Sequence, residues 1–489
     1  MKGLFKVQCS KFNVFFFYLC LCLFIPSPAT AQPRTFWQDI GLALELGMRD
    51  LAIKKLESHK PTTAQEKERT WLALGYIYLK KGKVDKAREY LSRIPSSSLY
   101  YEAAQALSWS QEMEIEEVKR VVPPISPPYQ VFQNVLTQDP VAALDYLTLN
   151  STLLLPGEEE KGVLQVLRLF FWRGDDDRVL ALMHQFPFLT TKKDSLWKGA
   201  LAHYRRGEFV EALSLLTSLP PSPQTHYWQA LILQILGKKD EAQIHLTKAA
   251  KGWGFYPFLA RLSLGLPLPA FQPCPSAPLS KGSLFRNLAE MGMEDVAEKV
   301  IMDRLWSQEI SRDQAMILFS TINPFIAVKL GMKRCLMYPH KRLVEGFCRI
   351  YKVEVPLVYA VMRQESLFDK RSLSRSNAMG LMQVIPSTGA FISKKLRANT
   401  FSPDMLFIPT FGIKYGVWYL SHLQKQFPTL PLVVAAYNAG PTAVEEWYKK
   451  WGMASAPEVA EFFPKAETRR YVKKVVTYYL LYSFATNSP

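Results

Sequence analysis

A chain of 489 residues that is 48% hydrophobic and 21% charged is too long for one ordinary core and too apolar to be dominated by disorder, so about three units are expected. Its formal charge of +17 favours an acidic polymer or an anionic membrane as neighbour and says nothing about fold. The six cysteines come without a C-x-x-C pair or paired histidines, which excludes a disulfide-rich scaffold and gives no metal signature.

The chain opens with Lys2, Lys6 and Lys11, then an apolar run from Val14 to Ile25, then small residues ending in Ala29-Thr30-Ala31. These are the three parts of a secretory signal peptide, residues 1–31. The apolar run is shorter than the roughly 20 residues a membrane span needs, although a retained anchor or a buried helix would read similarly. Removing it takes away three lysines and no acid, and leaves +14. No later run reaches membrane-spanning length, so the mature chain is expected to be exported without a stable span. Export weakens the nucleic-acid reading of the charge. Cys9, Cys20 and Cys22 leave with the signal. Cys274, Cys335 and Cys348 remain, either as buried thiols or with Cys335 paired to Cys348 and Cys274 free.

Residues 32–265 repeat a pattern in which an aromatic-containing helix leads to a glycine and a charged start to the next helix. A small or branched apolar residue follows five positions after the glycine. The instances are Gly82 to Ala87, Gly174 to Val179, Gly207 to Ala212 and Gly237 to Ala242, with Trp71, Trp197 and Trp228 ahead of three of the glycines. Glycine suits a left-handed helix cap, and alanine a close helix approach. A period near 34 residues therefore predicts a mostly α fold, an N-terminal solenoid of tetratricopeptide-like helix pairs. Prolines 267, 269, 273, 275 and 278 cannot continue a helix. They mark 266–336 as a proline-rich junction with a helical linker, and 337–489 as the last domain.

In that domain Val355-Pro356 predicts a helix start. Leu357, Val358, Val361 and Met362 then recur at helical spacing, and Glu365 projects from the same face. A carboxyl there is desolvated, which raises its pKa towards what a general acid at neutral pH requires. The plainer alternative is a surface glutamate paired with Arg363 or Lys370.

Downstream lie Gly380-Leu381-Met382-Gln383 with Pro386, AAYNAGP from Ala435 to Pro441, and ETRRYVKKVV from Glu467 to Val476. With Glu365-Ser366, these motifs resemble in order and spacing the soluble lytic transglycosylases, over about 340 to 485. The resemblance implies a goose-type lysozyme-like fold and a lyase that cleaves the β-1,4 bond between MurNAc and GlcNAc of peptidoglycan, leaving a 1,6-anhydro-MurNAc end. It implies Glu365 as the catalytic acid and base, and Ser374 as the residue that orients the substrate's N-acetyl group. Gln383 would contact saccharide, Tyr437 and Asn438 would line the cleft floor, and Glu467 would meet peptide stems at the rim. Each has a structural alternative: a helix cap for Ser374, backbone shaping for Gln383, Tyr437 and Asn438, and an ion pair with Arg469 or Arg470 for Glu467. Lys370, Met379 and Ile385 depart from the family's usual residues, and the arm is shorter than in the largest relatives.

No cofactor and no metal are expected. Asp369 is a poor second carboxylate, so one acid would serve both steps, assisted by the substrate's own N-acetyl group. The expected partners are peptidoglycan strands in the periplasm, with cell-wall proteins as candidate partners for the helical arm. The 20 lysines and arginines against 10 acids from 341 onward fit an acidic wall polymer. Two rivals stay open: a muramidase that lets water capture the intermediate, and a wall-bound scaffold with an inert glycan grip. All the motifs lie after 355, so 337–489 is expected to fold by itself and to need nothing from the arm for bond cleavage.

Overall fold

The computed structural model describes residues 35–45, 48–108, 126–269, 272–274, 279, 282–332, 335–398 and 400–487. The expected signal peptide and prolines 275 and 278 of the junction lie outside them. The mostly α expectation is borne out. Among the described residues the only sheet is a parallel pair two residues long, in which Gln272 and Pro273 run beside Cys335 and Leu336.

The repeats form as their spacing requires. Four helix pairs are Ala64–Lys80 with Val84–Leu91, Glu158–Arg173 with Asp176–Gln185, Lys193–Arg206 with Phe209–Thr217, and Pro223–Ile235 with Lys239–Ala249. The turn glycines Gly82, Gly174, Gly207 and Gly237 have φ of 71°, 76°, 76° and 78°, the left-handed region where a side chain costs about 1–2 kcal/mol. Five residues on, Ala87, Val179, Ala212 and Ala242 are buried, where the paired helices meet.

The chain divides into two compact units, each built from two separated stretches: Met1–Glu112 with Phe271–His422, and Met113–Ala270 with Leu423–Pro489. The division falls in the last turn of the helix Pro409–Gln424. In the first unit the N-terminal helices hold the linker through polar contacts. Arg69 donates to the Asn287 carbonyl and pairs with Glu290, both at 3.2 Å. Arg304 donates from Nε and Nη2 to the Glu102 carboxylate, each at 2.8 Å.

In the second unit the terminal helices pack on the repeats. Phe462 lies among Phe171, Tyr204 and Trp228, with ring centroids 6.3, 5.9 and 5.9 Å away. The neighbouring Glu461 is buried and accepts from Gln224 Nε2 at 2.9 Å, Trp197 Nε1 at 3.3 Å, Lys473 Nζ at 2.6 Å and the Tyr256 hydroxyl. Burial, and next the Glu461 carboxylate, push the Tyr256 hydroxyl well above the usual phenol range. At Gly174 an added Cβ would stand 2.1 Å from the Trp451 ring, so this turn glycine also admits a close approach. Residues 423–487 thus bury apolar side chains against the arm. The arm supplies three of the four donors to Glu461.

The cysteine expectation is corrected. Cys274 bonds to Cys335, while Cys348 is free and buried. The parallel strand pair brings 274 beside 335 across 61 residues of sequence. Cys348 is instead turned into the core from the helix Lys341–Tyr351, where burial pushes its thiol up to about 12.

Candidate functional site

Three of the six expected site residues, Glu365, Ser374 and Gln383, lie in the first unit. Pro356 sits in the first turn of the helix Val355–Ser366, where its missing N–H has no intrahelical partner to lose. Every residue from Leu357 to Arg363 is buried, so this helix runs through the core rather than lying on it with one apolar face. Arg363, 1% exposed, donates Nη1 to the Cys335 carbonyl at 2.8 Å. Glu365 stands in the last turn, half-buried, where the helix emerges.

The helix stops sharply. Leu367 and Phe368 have φ of 50° and 70°, left-handed conformations that cost non-glycine residues about 1–3 kcal/mol each. Ser366 offsets part of that cost. Its hydroxyl accepts from Phe368 N at 3.1 Å and donates to the Leu381 carbonyl at 2.8 Å, while Phe368 fills the core.

The loop that follows is tied by its own backbone. Gly380 N donates to Ser372 O at 2.9 Å, and Met379 and Val384 exchange bonds of 3.1 and 3.2 Å. Gly380 has φ 72°, and a Cβ there would lie 2.0 Å from Leu406 O, so both conformation and space demand glycine. Ser374 lies in this loop and caps no helix. Its Oγ accepts from Ala378 N at 2.9 Å, which leaves the hydroxyl hydrogen to donate elsewhere. Gln383 donates Nε2 to the carbonyls of Ser372 and Gly380 at 3.0 and 2.9 Å. Its backbone role is thus observed, and its amide oxygen is the atom a ligand would meet.

The other three belong to the second unit. Tyr437 and Asn438 are half-buried in the last turn of the helix Leu430–Ala439. Asn438 Oδ1 accepts from Thr468 Oγ1 at 2.6 Å, which orients its amide hydrogens away from Thr468. Thr468 is fully buried and follows Glu467, which stands exposed in the first turn of the helix Ala466–Asn487. Among the described residues no ion pair joins Glu467 to Arg469 or Arg470. Arg469 instead donates Nη1 to the carbonyls of Phe463 and Pro464 at 2.7 and 2.8 Å and lies 3.7 Å over Trp172. Burial pushes its guanidinium down to about 10.

Sequence reasoning missed Ser366 and Thr468. Both stand inside the quoted motifs, directly after Glu365 and Glu467, and their hydroxyls were the signal that could have given them a role. Among the described residues no group of three or more histidines, cysteines or acids is placed to hold a metal ion.

The transglycosylase SLT domain family matches residues 345–458, and the tetratricopeptide repeat family matches 68–94. The chain is 27% identical over 300 residues to the soluble lytic murein transglycosylase of Escherichia coli K12, covering 57% of this chain and 46% of that one. The enzyme of the same name from Salmonella typhimurium is 28% identical over 294 residues, covering 56% and 46%. The chain spans about half the length of the curated relatives it matches. In fold it is similar to the 70 kDa soluble lytic transglycosylase of Escherichia coli, with a TM-score of 0.60 at 18% identity over 97% of this chain and 84% of that one. An inactive mutant of the lytic transglycosylase Slt from Pseudomonas aeruginosa gives 0.59 at 21% identity, covering 93% and 81%. The arrangement of helical repeats with a lysozyme-like domain is that of these structures.

Proposed function

We propose that this chain, whose residues 345–458 match the transglycosylase SLT domain family, is a lytic transglycosylase that cleaves the β-1,4 bond between MurNAc and GlcNAc of peptidoglycan in the periplasm and leaves a 1,6-anhydro-MurNAc end. The observation that carries the proposal is Glu365 at the exit of a buried helix, followed at once by the tied loop of Ser374 and Gln383. An acid must keep its proton until the glycosidic oxygen takes it.

In the first step the Glu365 carboxyl gives its proton to the oxygen between the two sugars, and the C1–O bond breaks. The MurNAc N-acetyl carbonyl stabilises the positive charge developing at C1. Ser374 suits the task of orienting that group, because its oxygen is already engaged and its hydrogen is available to a carbonyl. In the second step the C6 hydroxyl attacks C1 while Glu365, now a carboxylate, takes the hydroxyl proton. Glu365 returns to its starting form and no water is consumed. Two-carboxylate glycosidases need a second acid at fixed separation. Here Asp369 Oδ1 accepts from Arg371 N at 2.9 Å, occupied in shaping the loop.

Tyr437, Asn438 and Glu467 are assigned to saccharide and stem-peptide binding, with the amide hydrogens of Asn438 as donors. Mass spectrometry of purified sacculi digested with the full chain tests the proposal. Anhydro-muropeptides are expected. Reducing ends alone would make the protein a muramidase, and no soluble product would leave a glycan-binding scaffold.

A further inference from the structure

We infer that Arg371 is a positioning residue, and that its pairing with Glu298 makes the 284–336 linker a working part of the site by holding the loop that carries Ser374 and Gln383. The inference rests on the reading of Glu365 and Ser374 above.

The linker helix Glu294–Trp306 presents Glu294 and Glu298 four residues apart, hence on one face. Arg371 Nη2 donates to both oxygens of Glu298, at 3.0 and 2.8 Å. Beside it Lys370 Nζ pairs with Glu294 at 3.3 Å. Two consecutive cations of the loop thus dock on two acids of one helix. Glu298 is itself fixed from a third side. The buried Asn323 donates Nδ2 to it at 2.8 Å while accepting from Phe325 N at the start of the next helix. Exposed pairs contribute little, because two mobile side chains must be ordered at once. Here the Glu298 side chain is only 14% exposed and already ordered, and a charged partner strengthens the bonds it accepts.

The clamp acts one residue away from the site's framework. Ser372, next to Arg371, offers the carbonyl that accepts both Gly380 N and the Gln383 amide. Ser374, whose hydroxyl is assigned to the N-acetyl group, is two residues further. A loop fastened to the linker at 370 and 371 has its Ser372 carbonyl, and with it Gln383, referred to a rigid helix. With the clamp cut, only internal turns and the helix end hold it. A shift of about 1 Å in a positioning group can lower a rate by up to about 10²-fold.

The test uses the full chain and three variants: Glu298→Gln, Arg371→Gln, and the charge swap E298R/R371E. Two readouts are taken. One is hydrogen exchange of the segment 372–384, whose bonded amides include Ala378, Gly380 and Val384. The other is kcat and KM on short soluble glycan strands. Each single variant is expected to speed exchange in that segment and to lower kcat by about tenfold with KM changed by less than about twofold. The swap is expected to recover part of both, as a coupled pair should, less what is lost with the Asn323 bond to Glu298.

A purely structural role would lower the melting temperature and speed exchange through the linker helices as well. Should Glu298→Gln fail to fold, Arg371→Gln carries the test, since it leaves Glu298 with Asn323. Unchanged exchange with kcat within about twofold of wild type overturns the inference, as does a swap that recovers the melting temperature but neither readout. If the wild-type chain cleaves nothing while exchange still responds, the proposed function has failed and the clamp stands.

Discussion

The part of the 345–458 domain that comes first in the chain (its front half) and the part that follows residue 422 (its back half) are held by unlike forces. Residues 341–422 reach their neighbours in the first unit through charged side chains: Lys370 to Glu294, Arg371 to Glu298, and Arg363 to the carbonyl of Cys335, which is itself disulfide-bonded to Cys274. Residues 423–487 are held in the second unit by the Phe462 nest and a buried carboxylate with four donors. Charge and redox contacts respond to salt, pH and reductant, whereas packed aromatics do not. The half that carries Glu365, the proposed proton donor, is thus the half that solution conditions can adjust. The half assigned to sugar binding is held by shape and by a buried ion pair, Glu461 with Lys473, that salt screens least.

The sharpest division between the halves is chemical. Glu365→Gln keeps the shape of the side chain but has no proton to give. Cleavage of soluble glycan should fall by at least about 10² to 10⁴ with glycan binding retained. Activity within a few-fold of wild type would remove Glu365 from the mechanism and the front half from its place in the comparison.

Next in size is the loss of packing in the back half. Phe462→Ala empties a nest of three rings, and should cost about 3–5 kcal/mol of stability. The cost should be the same in dilute buffer and in 1 M salt, because no charge is removed. For the same reason 423–489 separated from the arm should lack a cooperative melt. Chemical denaturation at both salt concentrations checks the first point. A salt-dependent loss at Phe462 would mean that electrostatics hold both halves alike.

What the sequence made legible follows the same line. The repeats could be read because a left-handed turn and a close helix approach each demand a particular residue, and Gly174 and Val179 supply them within five positions. Glu365 could be read because helical periodicity puts it on the apolar face of its helix and the downstream motifs resemble a known family, whereas the steric need for glycine at 380 shows only in the fold. The Phe462 nest could not be read. Its rings come from Phe171, Tyr204 and Trp228, some 230 to 290 residues earlier, and no local pattern names a partner at that separation. The cysteine pairing failed for a related reason: Cys348 is nearer to Cys335 in sequence, but a strand pair and not chain distance brings sulfurs together. The clamp had a faint signal, two acids four apart on one helix and two adjacent cations in a loop. Nothing in the sequence joined them.

Redox state offers a smaller effect, at the strand pair whose Cys335 carbonyl accepts from Arg363 of the front. The Cys274–Cys335 bond closes a long loop, and removing it should cost about 2–4 kcal/mol, mainly by freeing the unfolded chain. Cys274→Ser and Cys335→Ser should each lower the melting point to that of the reduced wild type. Cys348 should not react with thiol reagents in the native state at neutral pH, since burial keeps its thiol up to about 12. A reduced wild type as stable as the oxidised protein would show that the bond constrains nothing.

The smallest expected effect is a pH dependence of the front half, centred on His340. This residue precedes the helix Lys341–Tyr351 with φ 53°. Burial, and secondarily the charge of Lys370, push its imidazole down to about 4 from an ordinary 6.5. A folded-state value below the unfolded one means the folded protein binds fewer protons. Its contribution is then complete above pH 6.5 and is lost as pH falls from 6.5 towards 4. Over the upper part of that window, to pH 5, at most about 2 kcal/mol is at stake. His340→Asn removes the titration and still tolerates the left-handed backbone. Melting curves of the two proteins should therefore converge as the solution is acidified, with the wild type losing more. Because Lys370 is both the neighbour of His340 and the partner of Glu294, protonating the histidine sets a second cation against the clamp. Exchange in 372–384 should quicken with acid in the wild type and less so in the variant. Parallel stability curves through the whole window would show that His340 does not titrate there, and would take pH off the list of conditions that tune the front half.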